Sequence, residues 1–206
     1  MHKYRMMTFP TYKNRIDILH ALKAFNPKTI CEVGVQRGEY SRQILNAIPS
    51  IEKFYLVDLW KHQENYFDHA NVNDAAQQQC LEATLANTNR WKEKVVLLKG
   101  YSTEMAQQIA DQSLDWVYID ARHDYKGCLE DIEAYWPKVK SGGIMSGHDY
   151  MSADEVDGQD WSINYDGTKN NGAVKGAVDH FASINNLQVL VSYKESAWHT
   201  WTLLKK

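Results

Sequence analysis

Apolar residues along the chain alternate between two spacings. Short runs at Thr29–Val33 (TICEV), Phe54–Val57 (FYLV), Val95–Leu98 (VVLL), Trp116–Ile119 (WVYI) and Gly143–Ser146 (GIMS) have the length of buried strands. Between them, apolar positions recur every three or four residues. Tyr40, Ile44, Leu45 and Ile48 predict a helix over Gly38–Ile48. Ala76, Cys80 and Leu81 predict another over Ala75–Asn87, and Thr103–Ala110 reads as a short one. Leu129, Ile132, Trp136 and Val139 mark a helix face that Pro137 should bend near its end. Ahead of the first strand, Ile16, Leu19, Leu22 and Phe25 predict a helix over Arg15–Phe25.

Strands separated by helical crossovers make a mainly parallel sheet with helices on both faces. The tail departs from this rhythm. A helix over Gly172–Ile184 precedes two strand-like runs, Leu187–Ser192 and Trp198–Leu204, which read as an antiparallel hairpin at the sheet edge. The expected architecture is α/β, Rossmann-like and doubly wound, in a single domain over residues 1–206. Two polar segments interrupt it, Trp60–Asn73 and Tyr150–Asn171. Both follow the carboxyl end of a strand, where open α/β sheets bind ligands, so both are expected to be lids over a substrate.

Composition narrows the class. With 44% hydrophobic and 24% charged residues over 206 positions, the chain is ordinary globular protein. Its 23 basic and 26 acidic residues give a net charge of −3 without a block of one sign, which argues against nucleic acid or a membrane surface as partner. No apolar stretch approaches the roughly 18 residues of a membrane helix. The N-terminus lacks the apolar core of a secretory signal. Cys31, Cys80 and Cys128 are odd in number and form no C-x-x-C, which argues against a disulfide framework and for a reducing, cytoplasmic setting.

Three places carry candidate chemistry. Glu32-Val33-Gly34-Val35-Gln36-Arg37-Gly38 is an E-x-G-x-x-x-G turn between the first strand and a helix. Such a turn brings backbone close to a ligand and offers the unpaired N–H groups of a helix start. It also has a purely architectural reading, because a tight strand-to-helix turn needs glycine anyway. It is not the G-x-G-x-x-G of nicotinamide dinucleotide binders. Asp58 ends the second strand, where a carboxylate can accept both hydroxyls of a ribose. The fourth strand ends in Asp120, followed by Ala121-Arg122-His123-Asp124-Tyr125, and the fifth in His148-Asp149-Tyr150. If these strands are neighbours, two carboxylates and an imidazole meet at one edge, a set suited to a divalent cation. His123, three residues beyond Asp120, suits a general base. The alternative is that Asp120 only caps the next element and His148 fills a turn.

The motifs E-x-G-x-x-x-G, an acid ending strand two, and I-D-A-x-H-x-Y followed by G-G-x-x-x-x-H-D resemble those of class I S-adenosylmethionine-dependent methyltransferases. The similarity is greatest to the metal-dependent small-molecule O-methyltransferases, a group with catechol and macrocin-type sugar methyltransferases, and it runs from about Thr29 to Phe181. It implies a seven-stranded sheet and O-methylation of a small-molecule hydroxyl on a phenol, catechol or sugar. It further implies that Glu32, Gly34 and Gly38 line the methionine end of the cofactor, Asp58 holds the ribose and Ser102 lies by the adenine. Asp120, His148 and Asp149 fall on the metal-ligand positions, with Asp120 also serving the cofactor, and His123 falls at a catalytic base. A histidine at position 148 departs from the carboxylate or its amide common in the group: either it shifts the preference toward Mn²⁺ over Mg²⁺, or it is not a ligand and coordination is incomplete. Arg122 sets a permanent cation beside the metal or points to solvent. Trp60 and Trp161, in the two lids, are expected to clamp a flat or apolar acceptor. A homo-oligomer fits the habit of the group. The rival readings are a metal-independent N-methyltransferase, a nucleotide-binding oxidoreductase and a non-catalytic binding module.

Overall fold

The computed structural model describes residues 9–195 and 198–206. Five strands alternate with helices. They are β1 (Thr29–Val33), β2 (Lys53–Asp58), β3 (Val95–Lys99), β4 (Leu114–Ile119) and β5 (Val139–Gly147). The helices are α1 (Ile18–Phe25), α2 (Glu39–Ala47), α3 (Asp74–Thr88), α4 (Ser102–Ala106), α5 (Tyr125–Tyr135) and α6 (Ala173–Ile184). Two further strands, β6 (Leu190–Val191) and β7 (Trp201–Leu204), complete a seven-stranded sheet of order β3-β2-β1-β4-β5-β7-β6. Strands β1 to β5 are parallel, and β7 runs antiparallel to both β5 and β6. The order reverses between β1 and β4, which opens a crevice at their carboxyl ends. No helix among the described residues is long and apolar enough to cross a membrane.

The central strands are apolar on both faces because both faces are covered. Along β4 the side chains alternate between two cores. Val117 and Ile119 pack with Cys128, Ile132 and Val178, on the side of α5 and α6. Trp116 and Tyr118 pack with Leu22, Ile44 and Cys80, on the side of α1, α2 and α3. Each fully buried side chain of this size contributes about 1.5–3 kcal/mol. Helix starts follow local chemistry. The Asn73 side chain accepts from the Ala76 N–H at 3.0 Å to cap α3, and Asp124 accepts from the Gly127 N–H at 3.0 Å to cap α5.

Three expectations shift. Val139 belongs to β5, not to a helix face, because α5 ends at Tyr135 and Pro137 occupies a single 3₁₀ turn after it. β5 begins at Val139, ahead of the expected start at Gly143, and its register slips between the Leu114 and Trp116 pairings. The terminal strands are shorter than their apolar runs. Ser192 still donates its N–H to the Thr200 carbonyl at 2.9 Å but takes the Thr200 N–H on its hydroxyl at 3.0 Å, so the ladder ends there.

Gly34 leaves β1 at φ +87°, and a Cβ there would lie 1.9 Å from the carbonyl oxygen of Asp120, the first residue past β4. Gly142 has a similar φ of +79°, but a Cβ would meet nothing within 4 Å. Gly142→Ala should therefore cost only the strain of the left-handed backbone, about 1–2 kcal/mol. Gly34→Ala adds a collision with backbone that cannot yield, for a loss of roughly 3 kcal/mol or more. Urea midpoints of the two variants compare these directly. Equal losses would mean that the β1 turn is not pressed against β4.

Candidate active site

A cleft opens over the carboxyl ends of β1, β2 and β4. It is lined by Gly34, Gln36, Asp58, Gly100, Tyr101, Ser102, Asp120 and Arg122, and walled on the lid side by Lys61, Gln63, Tyr66 and Asn71. Four of the expected cofactor residues, Gly34, Asp58, Ser102 and Asp120, are thus brought together. Glu32 and Gly38 are not in its lining. Glu32 lies buried beneath the turn, where the Ser41 hydroxyl of α2 donates to its Oε2. Gly38 starts α2 at φ +69° and packs against Thr84 of α3. Its role in the structure is close helix packing.

Asp58 shapes the turn that it faces. Its Oδ2 accepts from the Val35 and Gln36 N–H groups, both at 2.8 Å, and its Oδ1 accepts from the Trp60 N–H at 2.8 Å. Oδ2 thereby has both lone pairs engaged, and Oδ1 keeps one for a hydroxyl group. Trp60, expected in a lid, is buried in the core and donates its indole N–H to the Gln36 carbonyl at 2.8 Å.

Beyond the cleft, at the ends of β4 and β5, ligand atoms of Asp120, His123 and Asp149 lie within 4.8 Å of one another. His123 Nε2 stands 3.4 Å from Asp120 Oδ1 and 3.2 Å from Asp149 Oδ2. Its Nδ1 is taken by Asp68 Oδ2 at 2.8 Å, with the Tyr66 hydroxyl at 3.1 Å. Asp149 adopts φ +56° at the turn out of β5, and its Oδ1 is buried without a well-aligned hydrogen bond. His148 stands one step back. Its Nδ1 is 2.7 Å from Asp149 Oδ1 but 4.0 Å from Asp120 Oδ2, and its Nε2 faces Glu195 Oε1 at 3.7 Å. The three donors that converge therefore include His123 where the sequence pointed to His148. Two carboxylates and an imidazole whose donor atoms converge in this way fit a divalent cation.

The electrostatics match this geometry. Burial alone would raise the Asp120 carboxyl. The His123 hydrogen bond and the charges of His148, His123 and Arg15 outweigh burial and hold its carboxyl below the usual carboxylate range. Burial disfavours a charged His123, but its bonds to Asp120 and Asp68 and the charge of Asp149 raise it well above an ordinary histidine. His148 is raised to about 9: burial opposes the shift, and Asp149 and Glu195 drive it.

Several participants carried no sequence signal that singled them out. Arg15, ahead of α1, brings its guanidinium 3.8 Å from Asp120 Oδ2 and over the Tyr40 ring. Asp68 joins the two lids to His123, since it also accepts from the Trp161 indole N–H at 2.9 Å. Trp161 is buried against the His123 ring, at 4.4 Å between centroids, and is not a free clamp for an acceptor. Arg122 turns away from the carboxylates. It pairs with Asp124 at 2.6 Å, lies over the Tyr66 ring and donates to the Asn65 carbonyl, pinning the first lid.

A methyltransferase-domain sequence profile matches residues 31–150, from β1 through the acidic turn after β5. The chain belongs to this methyltransferase family, the class that draws its methyl group from S-adenosylmethionine. A protein of Sinorhizobium fredii, y4gI, is 25% identical over 135 residues; the match takes in 64% of this chain and only 14% of that protein. Among solved structures, an O-methyltransferase from Bacillus cereus in complex with SAH superposes with a TM-score of 0.62 at 15% identity, covering 96% of this chain and 84% of that one. A putative caffeoyl-CoA O-methyltransferase from Staphylococcus aureus gives 0.61 at 16%, over 95% and 86%. Spermidine synthase from Thermotoga maritima gives 0.55 at 16%, over 94% and 58%. At these identities the structural likeness speaks to fold alone.

The buried acid under the cleft generates a pH prediction. Burial pushes Glu32 up to about 8, with the Ser41 bond opposing the shift. An acid raised in the folded state destabilises the fold as pH rises from its unfolded value, near 4.5, to that point. Glu32→Gln keeps an acceptor for Ser41 without the charge. Its stability relative to the parent should grow between pH 5 and pH 8, by an amount on the order of a few kcal/mol. Melting temperatures of the ligand-free proteins at the two values test this, and a gap that narrows with pH would contradict it.

Proposed function

We propose that the protein transfers a methyl group from S-adenosylmethionine to a hydroxyl oxygen of a small molecule, assisted by a divalent cation at Asp120, His123 and Asp149. The observation that carries this reading is the convergence of those three side chains beside the cleft over Gly34. S-adenosylmethionine supplies an electrophilic methyl on sulfonium, and a divalent ion supplies charge that eases deprotonation of a hydroxyl. What remains for the protein is positioning and exclusion of water.

In this reading Asp58 takes a ribose hydroxyl on the free lone pair of Oδ1. Gly34 keeps the cleft floor open, and Ser102 meets the adenine. Asp120 stands between the cleft and the cation and serves both. Asp68 fixes the His123 ring so that Nε2 points to Asp120 and Asp149, the carboxylate–histidine pattern that orients a metal-binding imidazole. His148 supports Asp149 from behind. The lids meet at the Phe67–Asp160 bridge and the His69 N–H to Gln159 bond of 2.8 Å, which favours a small acceptor over a protein. Three buried cysteine thiols support a reducing, cytoplasmic setting.

A second reading keeps His123 as general base, and the same Asp68 bond favours it, because a carboxylate on Nδ1 is also how a base is held in its working tautomer. The two readings differ in what His123→Ala removes. As a ligand, its loss abolishes stabilisation by Mn²⁺ and weakens Mn²⁺ binding in titrations. As a base, its loss stops turnover while Mn²⁺ still binds as in the parent.

Thermal shifts come first. S-adenosylhomocysteine at 100 times its dissociation constant should add about 2.7 kcal/mol of stability, and NAD nothing. Methyl transfer to a panel of phenols, catechols and sugars should then fail in chelator and return with Mn²⁺ or Mg²⁺. Chelator-insensitive transfer would remove the cation from this reading, and transfer confined to amines would remove the oxygen acceptor.

A further inference from the structure

Asp131 stands on the buried stripe of α5 with Cys128, Ile132 and Tyr135. A carboxyl group on a packing stripe needs a partner. It has one in Ser102, at the first turn of α4, whose hydroxyl donates to Asp131 Oδ1. The Ser102 carbonyl accepts from the Tyr135 hydroxyl at 3.0 Å. One face of α5 therefore holds Ser102 by both side chain and backbone. Ser102 lines the cofactor cleft, and both Ser102 and Asp131 line the polar groove that adjoins it. Burial raises the Asp131 carboxyl to about 7, against the Ser102 bond. Protonated or not, the group keeps an oxygen that accepts from the hydroxyl.

A serine hydroxyl has one hydrogen and two lone pairs. With the hydrogen committed to Asp131, Ser102 offers the cleft acceptors only. We infer that Asp131 is a positioning residue that makes Ser102 an obligate acceptor, so that the cleft selects a 6-amino purine nucleoside and rejects its 6-oxo counterpart. The inference rests on the reading of this cleft as the adenosyl site. A 6-amino group would donate to Ser102, whereas a 6-oxo group would set lone pair against lone pair. A site built for one hydrogen-bond pattern discriminates strongly against a ligand that leaves it unmade.

The test compares dissociation constants of S-adenosylhomocysteine and S-inosylhomocysteine by calorimetry. The parent should prefer the adenosyl ligand by about tenfold or more. Asp131→Ala frees the hydroxyl to turn and donate to a 6-oxo group, so the preference should fall to about threefold or less. Asp131→Asn retains an acceptor oxygen and should retain the preference. Ser102→Ala should lose it, and adding Asp131→Ala to that variant should change nothing further. A parent that binds the adenosyl ligand without preference would overturn the inference. So would an Asp131→Ala protein that weakens both ligands in parallel, which is the mark of lost packing. If Asp131→Ala fails to fold, the Ser102→Ala arm decides, and an unchanged ratio there overturns the inference. A parent that binds neither ligand would instead remove the adenosyl reading on which it rests.

Discussion

The site depends on hydrogen bonds that run one residue past the end of each parallel strand. The Asp120 N–H donates to the Val33 carbonyl at 2.7 Å, and the His148 N–H to the Ile119 carbonyl at 3.1 Å. The Gly34 N–H donates to the Val57 carbonyl at 2.9 Å, and the Gly100 N–H to the Asp58 carbonyl at 3.0 Å. These bonds fix where the chain leaves the sheet, and so fix the first residue of each turn. Asp120 and His148 are each the first residue beyond a strand, and Asp58 is the last residue of β2. Their side chains meet at one edge because parallel strands all end on the same side. Gly34 is part of the same constraint, since β1 can pass under Asp120 only where no Cβ intervenes.

A carboxylate cluster at such an edge needs compensation. Asp68, Asp120 and Asp149 surround His123, and Arg15 approaches from the N-terminal segment. Arg15 comes from a part of the chain far from these sheet ends in sequence, whereas His123 follows β4 directly. Asp68 and Trp161 come from the two lids, so lid placement and imidazole orientation are one problem. A first lid that moved away, taking Asp68 with it, would release the His123 Nδ1 and with it the direction of Nε2. Loop chemistry and sheet geometry therefore act on the same ring.

The strands and their parallel order are legible because buried parallel strands are short apolar runs and the crossovers carry helical spacing. The acids at strand ends are legible for the same reason: a run that stops at Asp58 or Asp120 places that residue at the rim. What the sequence hides is orientation. His148 and His123 both belong to motifs at the rim, and only the backbone turn at Asp149 decides which imidazole joins the carboxylates. Trp60 and Trp161 lie in polar segments, yet both are buried, because each indole N–H finds an acceptor that the local sequence does not reveal. Arg15 and Glu195 are brought in by tertiary packing alone, through the Arg15 N–H to Glu195 Oε1 bond of 2.8 Å across 180 positions. Asp131 was readable in principle. It is an acid three residues after Cys128 and one before Ile132, on an otherwise apolar face.

Glu32 and Asp131 share a property that packing does not explain. Both are fully buried acids, both are raised toward neutral pH by burial, and both take a serine hydroxyl from a neighbouring helix. Each serine starts from the helix that follows a cleft turn, Ser41 on α2 after β1 and Ser102 on α4 after β3. Apolar residues in place of both the acid and its serine would stabilise the fold at neutral pH, since they would remove the cost of desolvating a carboxyl group without orphaning the hydroxyl. The acids instead tie the first turn of a helix to the element behind it. In the β1 and β3 turns that bound the cleft, the chain thus gives up stability for fixed position. A transferase that works by alignment needs that rigidity more than it needs the lost free energy.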